Sequence, residues 1–441
     1  MFIERSAGRI RLARLTFVIV ALLPCALLAA WAAARGSAGH REAVRVRWQQ
    51  SIGLPLTIGA VEHPRPGVVR AHSCVIRTPT GRTLVEIPTI EVESAATEDR
   101  LRVDTARLDP QAALVLGGLV REWLRSDARH PRNCVIEAGD FAWTGCGRES
   151  GPTALPAAGL RIECVAQGET RAVRIVCRPD GQEGSGAGDE VRLVRTLDAG
   201  DREGRERFEV DGRLSHPQPL PAMAAVAGWS DGTADAAGSS ATVAGEFHAT
   251  HDAAGWSGTA TGRIDEIDLG SVTKMLDARG AGIACVDASR VTWTDGRLAR
   301  AAIECSCGRG WIDPLLFDRL VIALGCRPAP AARSTGEPVR SFDAAGCVLK
   351  LEGDRMTLQP ALGDAVAVAG GAALLHAPSA PVPFDRLAWM LSPPAATFVP
   401  ADGPGAWLMS VLPVKPAEGA EGSESGTRTE NPSDGDGRRG F

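Results

Sequence analysis

Two hydropathy patterns divide this chain. Leu15 to Ala34 (LTFVIVALLPCALLAAWAAA) runs for twenty residues without a charge. From Ser51 the pattern becomes short apolar–polar alternation, broken by Gly, Pro and Asp. At about 1.5 Å per residue, the first run reaches about 30 Å, the thickness of a bilayer's hydrocarbon core. Its side chains Leu15, Phe17, Val18, Ile19, Leu22, Leu23, Leu27, Leu28 and Trp31 form the predicted membrane anchor. Arg5, Arg9, Arg11 and Arg14 precede it, and short basic flanks resist translocation. The sequence therefore predicts a cytoplasmic arm over 1–14 and one transmembrane helix over 15–34. The rest of the chain is then extracytoplasmic, on the periplasmic side of an inner membrane. Ala32-Ala33-Ala34 also fits a signal-peptidase site, although a signal's apolar region is usually only about 7–15 residues. Length favours a retained anchor.

The alternating pattern predicts a mainly β fold with a few short helices. The sheet is expected to be elongated and antiparallel, shaped as a groove or a sandwich. Residues 35–50 read as a connecting segment. A β-rich region over 35–177 contains one helix at 110–125, where Asp109-Pro110 supplies an N-cap and a first-turn proline. Leu116, Leu119, Val120, Trp123 and Leu124 make its apolar stripe, with Arg121, Glu122 and Arg125 off it. Residues 178–206, polar and glycine-rich, read as a flexible linker with a short strand at Val191–Val194. A second β-rich region covers 207–413, with a Pro/Ala/Gly break at 328–341. A tail over 414–441 has the composition of a disordered segment.

Three hairpins can be written pair by pair. Leu160–Ala166 and Arg171–Cys177 set Leu160 against Cys177, Ile162 against Ile175 and Cys164 against Val173. Glu163 then faces Arg174 on the other side, an opposite-charge pair that suits a solvated face. Asp295-Gly296 suits a two-residue turn that pairs Trp293 with Leu298. Cys347–Leu358 folds on Gly353-Asp354, with Leu351 against Met356 and Leu349 against Leu358.

Composition narrows the function classes. The net charge is −5, which gives nucleic acid no electrostatic footprint. Aromatic residues make up 5% and there is no tyrosine, so a thin sheet suits the chain better than a thick core. Of eleven cysteines, Cys25 lies in the anchor. Parity places most of the others on apolar strand faces, as small core residues. An oxidising compartment also permits disulfides. Cys305 and Cys307 are then the expected partners for Cys285, Cys326 or Cys347. Cys164 and Cys177 are about 13 Å apart at about 3.3 Å per residue, too far to bond.

Short motifs predict no catalytic, cofactor or metal site. Gly228-Trp229-Ser230-Asp231-Gly232 spells a nucleophile elbow, but a helical pattern precedes Ser230 where the motif needs a strand. Ser271-Val272-Thr273-Lys274 lacks the partner motifs of penicillin-binding enzymes. His248 and His251, three apart on a strand, point to opposite faces and cannot chelate together. Cys305-x-Cys307 lacks a second cysteine pair at zinc spacing.

Residues 243–276 carry a resemblance. A strand turns at Ala253-Ala254-Gly255 and returns through Trp256, Gly258 and Gly262. It ends at Ile267-Asp268-Leu269, where a short helix begins. Arg300–Leu324 has the same style, through Gly308 and Gly310 into Trp311-Ile312-Asp313-Pro314. Gly53–Val61 fits a first strand placed directly after a membrane anchor. These features resemble AsmA-like and TamB-like bacterial envelope proteins, loosely over 51–413. The resemblance implies structural roles for Trp256, Gly258, Gly262 and Asp268. It also implies a curved sheet with an apolar inner face that holds lipid acyl chains or assists envelope assembly. The expected function is that of a non-enzymatic, membrane-anchored envelope protein. Its partners would be the bilayer, lipid acyl chains and other envelope proteins. The alternative is a β-rich envelope scaffold without lipid cargo.

Overall fold

The computed structural model describes residues 7–126, 132–144, 155–179, 188–197, 206–227, 237–333, 339–352, 355–392 and 403–412. Ser230, the Gly353-Asp354 turn and the tail lie outside them.

Helix α1 (Ala7–Phe17) passes through a π-helical turn (Val18–Leu22) into α2 (Leu23–Arg35). Together they contain one helix long and apolar enough to cross a membrane, Arg14–Arg35, and none of its apolar window is buried among the described residues. Residues 35–50, expected as a connection, are largely helical: α3 spans Ala38–Ile52. Ser37 caps it by accepting from the His40 amide, and Gly53 ends it at φ 74°. Its polar sequence has no continuous apolar stripe. Tertiary contacts hold it instead: Val44 is buried in the first core and Trp48 packs beside it. Arg41 donates to the Gly59 carbonyl and Arg45 to the Leu56 carbonyl.

The predicted first strand is broken into β1 (Leu56–Thr57) and β2 (Ala60–Glu62), both paired with β3 (Val68–Arg77). The sheet then grows strand by strand. β4 (Thr83–Ser94) and β5 (Glu98–Leu108) lead to α4 (Pro110–Arg125) and β6 (Asn133–Trp143). β5 and β6 are parallel, which is why a helix must bridge them. Antiparallel neighbours follow: β7 (Leu155–Gln167), β8 (Thr170–Pro179), β9 (Asp189–Leu197) and β10 (Glu206–Pro219). After α5 (Leu220–Ala227) come β11 (Thr242–Asp252) and β12 (Gly255–Asp268). Helix α6 (Leu269–Met275) and the short β13 (Gly280–Ala281) lead to β14 (Ile283–Thr294) and β15 (Arg297–Cys307).

Next are β16 (Gly310–Ile312), α7 (Pro314–Ile322), β17 (Arg327–Pro328) and β18 (Arg340–Phe342). β13, β16 and β18 form a separate small sheet. β19 (Ala344–Glu352) joins β15, and β20 (Arg355–Pro360), β21 (Ala365–Ala369) and β22 (Ala372–His376) complete the large sheet with β17. Helices α8 (Phe384–Met390) and α9 (Gly403–Val411) follow.

The linker expectation is corrected by β9. This strand is longer than Val191–Val194 and pairs on both sides, with β8 and β10. One large sheet therefore joins the two β-rich regions. The stripe predicted for α4 is also adjusted. Val120 and Leu124 are buried as expected, but small residues Ala112, Ala113 and Gly117 complete the inner face. Helix α5 crosses closely there, and a β-carbon on Gly117 would overlap the Val226 backbone. Arg121 is drawn to the same crossing and donates to the Val226 carbonyl at 2.7 Å.

The three hairpin registers agree with the expected pairs. On the outer face Glu163 meets Arg174 only at 3.9 Å. Arg161 takes Glu163 at 2.6 Å and Glu190 takes Arg174 at 2.7 Å, so each charge has a nearer partner.

Candidate functional site

Residues directly opposite each other in a sheet share a face. One such row runs Ile175, Val191, Gly212, Phe247, Ala260, Val291 through six consecutive neighbours, β8 to β12 and β14. It continues in one direction through Ile162 and Ile136 to Val69, and in the other through Ala301 and Leu351 to Met356. No charged or polar side chain interrupts it.

Two buried cores occupy this face, one at each end. The first gathers side chains from α3 to α5 and from strands out to Leu193 of β9. The second starts at Val291, Leu298 and Ile303 and is completed by residues of α7, α8 and α9. Between them, Phe208, Val210, Val243, Phe247, Ile264 and Val286 belong to neither core and are half-buried. The apolar face is thus continuous while the packed core is not.

Glycine shapes this middle section. Gly212 lies opposite Phe247, and a β-carbon at Gly212 would overlap the Phe247 ring. Gly245 faces Gly262 directly, with φ 151° at Gly245. A β-carbon there would come within 2.5 Å of the Gly262 Cα. Glycine at such positions marks close backbone approach or a bend in a sheet. Gly258 likewise leaves room for the Trp293 ring.

The ends of the section between the two cores are polar in different ways. Arg171 and Arg195 are opposite each other on the inner face and both buried. They donate to the end of α4: Arg171 to the Trp123 carbonyl and the Ser126 hydroxyl, Arg195 to the Leu124 carbonyl. Arg195 also pairs with Glu206. Cations suit a helix C-terminus, whose last carbonyls lack intrahelical donors. Further along, Asp189 is buried and fully bonded. It accepts from the Ser215 and His216 amides and from Gln218 Nε2, while Gln218 accepts from Trp143 Nε1. This network fixes the irregularity between Leu214 and Gln218 of β10.

The outer face is polar. His248 lies there and takes Asp211 at 2.6 Å, whereas His251 is on the inner face beside Phe208 and Trp256. The two histidines are kept apart as strand parity requires. Parity could not show that Glu209 and Asp211 of β10 approach His248 across the strand pair. Their ligand atoms lie within 4.8 Å of one another, with His248 exposed and both carboxylates half-buried, so this trio has donors that could hold a metal ion. The only sequence signal was an alternating Glu-x-Asp that pairs with a histidine once β10 and β11 are in register.

Asp268 and Asp313 hold matching positions. Asp268 accepts from Gly270 and Ser271 amides to start α6, and Asp313 accepts from Leu316 to start α7. Ser271 donates its hydroxyl to Asp268 at the helix start, and Lys274 is exposed in the last turn of α6.

The described cysteines are free thiols. Burial pushes Cys74, Cys134 and Cys326 up to about 11, and Cys164 and Cys177 up to about 12. They are therefore protonated at neutral pH and poor nucleophiles. Cys305 faces Cys347, while Cys285 faces Ser306 and Cys307 faces Ala345.

No protein-family model and no curated protein matches the chain.

Proposed function

We propose that this protein is a membrane-anchored, non-enzymatic carrier whose apolar sheet face holds lipid acyl chains. The carrying observation is the row through Val191, Gly212, Phe247 and Ala260, which is apolar throughout yet lies between two cores. The part of this half-buried apolar area that meets water costs about 25 cal/mol per Å², which supports a surface with a partner. The shape proposed for the middle section is an open, curved groove, and the paired Gly245 and Gly262 support that curvature. The Arg14–Arg35 helix supports attachment to a bilayer. The arginines before it support an inner-membrane location with the sheet in the periplasm. Helix α3 joins that anchor to the first core of the sheet. The style of the β11–β12 hairpin, with Asp268 starting the following helix, supports the reading through its resemblance to AsmA-like proteins.

The test is lipid content. The full chain purified in a mild detergent is expected to carry bound lipid, detected by extraction and mass spectrometry. Phe247→Glu, which places a charge in the row, is expected to lose most of it while keeping its circular dichroism spectrum. Equal lipid in both proteins, or none in either, would remove the lipid-handling role and leave a scaffold of envelope proteins.

A further inference from the structure

Cys305 and Cys347 are direct partners across β15 and β19. Opposite antiparallel residues have Cα atoms about 4.5 or 5.5 Å apart, within the roughly 4.4–6.8 Å that a disulfide spans. Both are half-buried on the apolar face; Cys347 packs against the second core and Cys305 does not. The other cysteines predicted to bond are placed differently. Cys285 shares the outer face with Ser306, Cys307 is opposite Ala284 and Ala345, and Cys326 is buried. A second facing pair exists, Cys134 and Cys164 of β6 and β7.

We propose that Cys305 and Cys347 form a thiol–disulfide exchange site, with Cys305 as the attacking sulfur. The co-reactant is an external disulfide, either a small-molecule disulfide or a partner protein's. The Cys305 thiolate attacks one of its sulfurs, making a mixed disulfide and expelling the other sulfur as a thiolate, which takes up a proton. Cys347 then gives its proton to solvent and attacks the Cys305 sulfur. The Cys305–Cys347 bond forms and the second external thiolate leaves and is protonated. Two protein thiols are oxidised and one external disulfide becomes two thiols. The direction follows from packing, since Cys347 is held against the second core while Cys305 lies outside it. Cys305 is also shifted below the ordinary thiol range, chiefly by Cys347, while Cys134 and Cys164 are pushed up by burial. The product bond would fasten β15 to β19 and close the loop holding β16, α7, β17 and β18.

The experiment treats the full chain in detergent with oxidised glutathione, blocks remaining thiols by alkylation, and maps peptides by mass spectrometry. The expected first product is a Cys305–Cys347 crosslink, with Cys134, Cys164, Cys285, Cys307 and Cys326 alkylated. Cys347→Ser is expected to stop at a glutathione adduct on Cys305. Cys305→Ser is expected to lose both adduct and crosslink at this site. Because serine can change packing, the absence of glutathione from Cys134 and Cys164 in each variant reports that the first core stays closed. A crosslink from Cys305 to Cys285, Cys307 or Cys326 would overturn the proposal. So would an unmodified Cys305, or adduct formation that starts on Cys347.

Discussion

Phe247 lies over Gly212, its direct partner across β10 and β11, so that a β-carbon at Gly212 would occupy the ring's place. The pair sits in the section of the sheet that neither core covers. It joins a local packing fact to the shape of the candidate site. Gly212→Ala is expected to destabilise the fold by about 1–3 kcal/mol, the usual cost of overpacking. The same substitution in a Phe247→Ala background should cost clearly less, because the colliding ring is gone. Chemical denaturation of the four proteins gives the coupling energy; additive effects would show that the two residues are independent.

Arg195 ties the sheet to the end of α4 through the Leu124 carbonyl. Arg195→Ala leaves that carbonyl without its charged donor and should cost about 1.5–3 kcal/mol. Hydrogen exchange should rise first in the last turn of α4. Unchanged protection there would mean that packing alone holds the helix.

Asp268 starts α6, and its carboxyl is held below the usual range by the Ser271 hydroxyl first and then by the Gly270 and Ser271 amides. Its folded pKa is lower than its unfolded one, so its contribution is present above the unfolded value and is lost as pH falls through the folded value. Asp268→Ala should cost about 1 kcal/mol at neutral pH. The gap to wild type should narrow on acidification, measured as denaturation midpoints between neutral and acidic pH. A constant gap would contradict this account.

His63 touches His40 through their Nε2 atoms at 2.7 Å, joining the β2–β3 connection to α3. Burial first, then Arg35 and His40, push the His63 pKa below its ordinary value. The neutral form is therefore favoured in the fold. Stability should fall as pH drops through the ordinary histidine range, because the unfolded chain takes up its proton first. The loss should level off below the folded pKa. His63→Gln should flatten that step in a plot of melting temperature against pH; a wild-type curve with no step would refute the coupling.

How much of this was legible depended on the range of the interactions. The β7–β8, β14–β15 and β19–β20 hairpins could be written from turn residues and two-residue periodicity, since both signals are local. Helix α4 was legible from Asp109-Pro110 and its stripe, but its small inner face depends on where α5 crosses. Helix α3 was missed because HREAVRVRWQQ has few apolar positions, and contacts through Val44, Trp48, Arg41 and Arg45 decide its structure. Strand β9 sits in glycine-rich sequence and gains its length from pairing on both sides. The continuous apolar row across the sheet could not be seen at all. Val191, Gly212, Phe247 and Ala260 are scattered along the chain and become a row only through register. The partner of Cys305 was open for the same reason, and β19 supplies it.

The central claim, that lipid occupies the inner face between the two cores, is tested most directly with neighbouring positions of opposite parity. A photo-crosslinking residue placed at Val210, Phe247 or Ile264 should yield lipid adducts by mass spectrometry after irradiation in membranes. The same residue at Asp211, His248 or Asp265, one step along each strand and on the outer face, should yield none. Adducts at both sets alike, or at neither, would contradict the account.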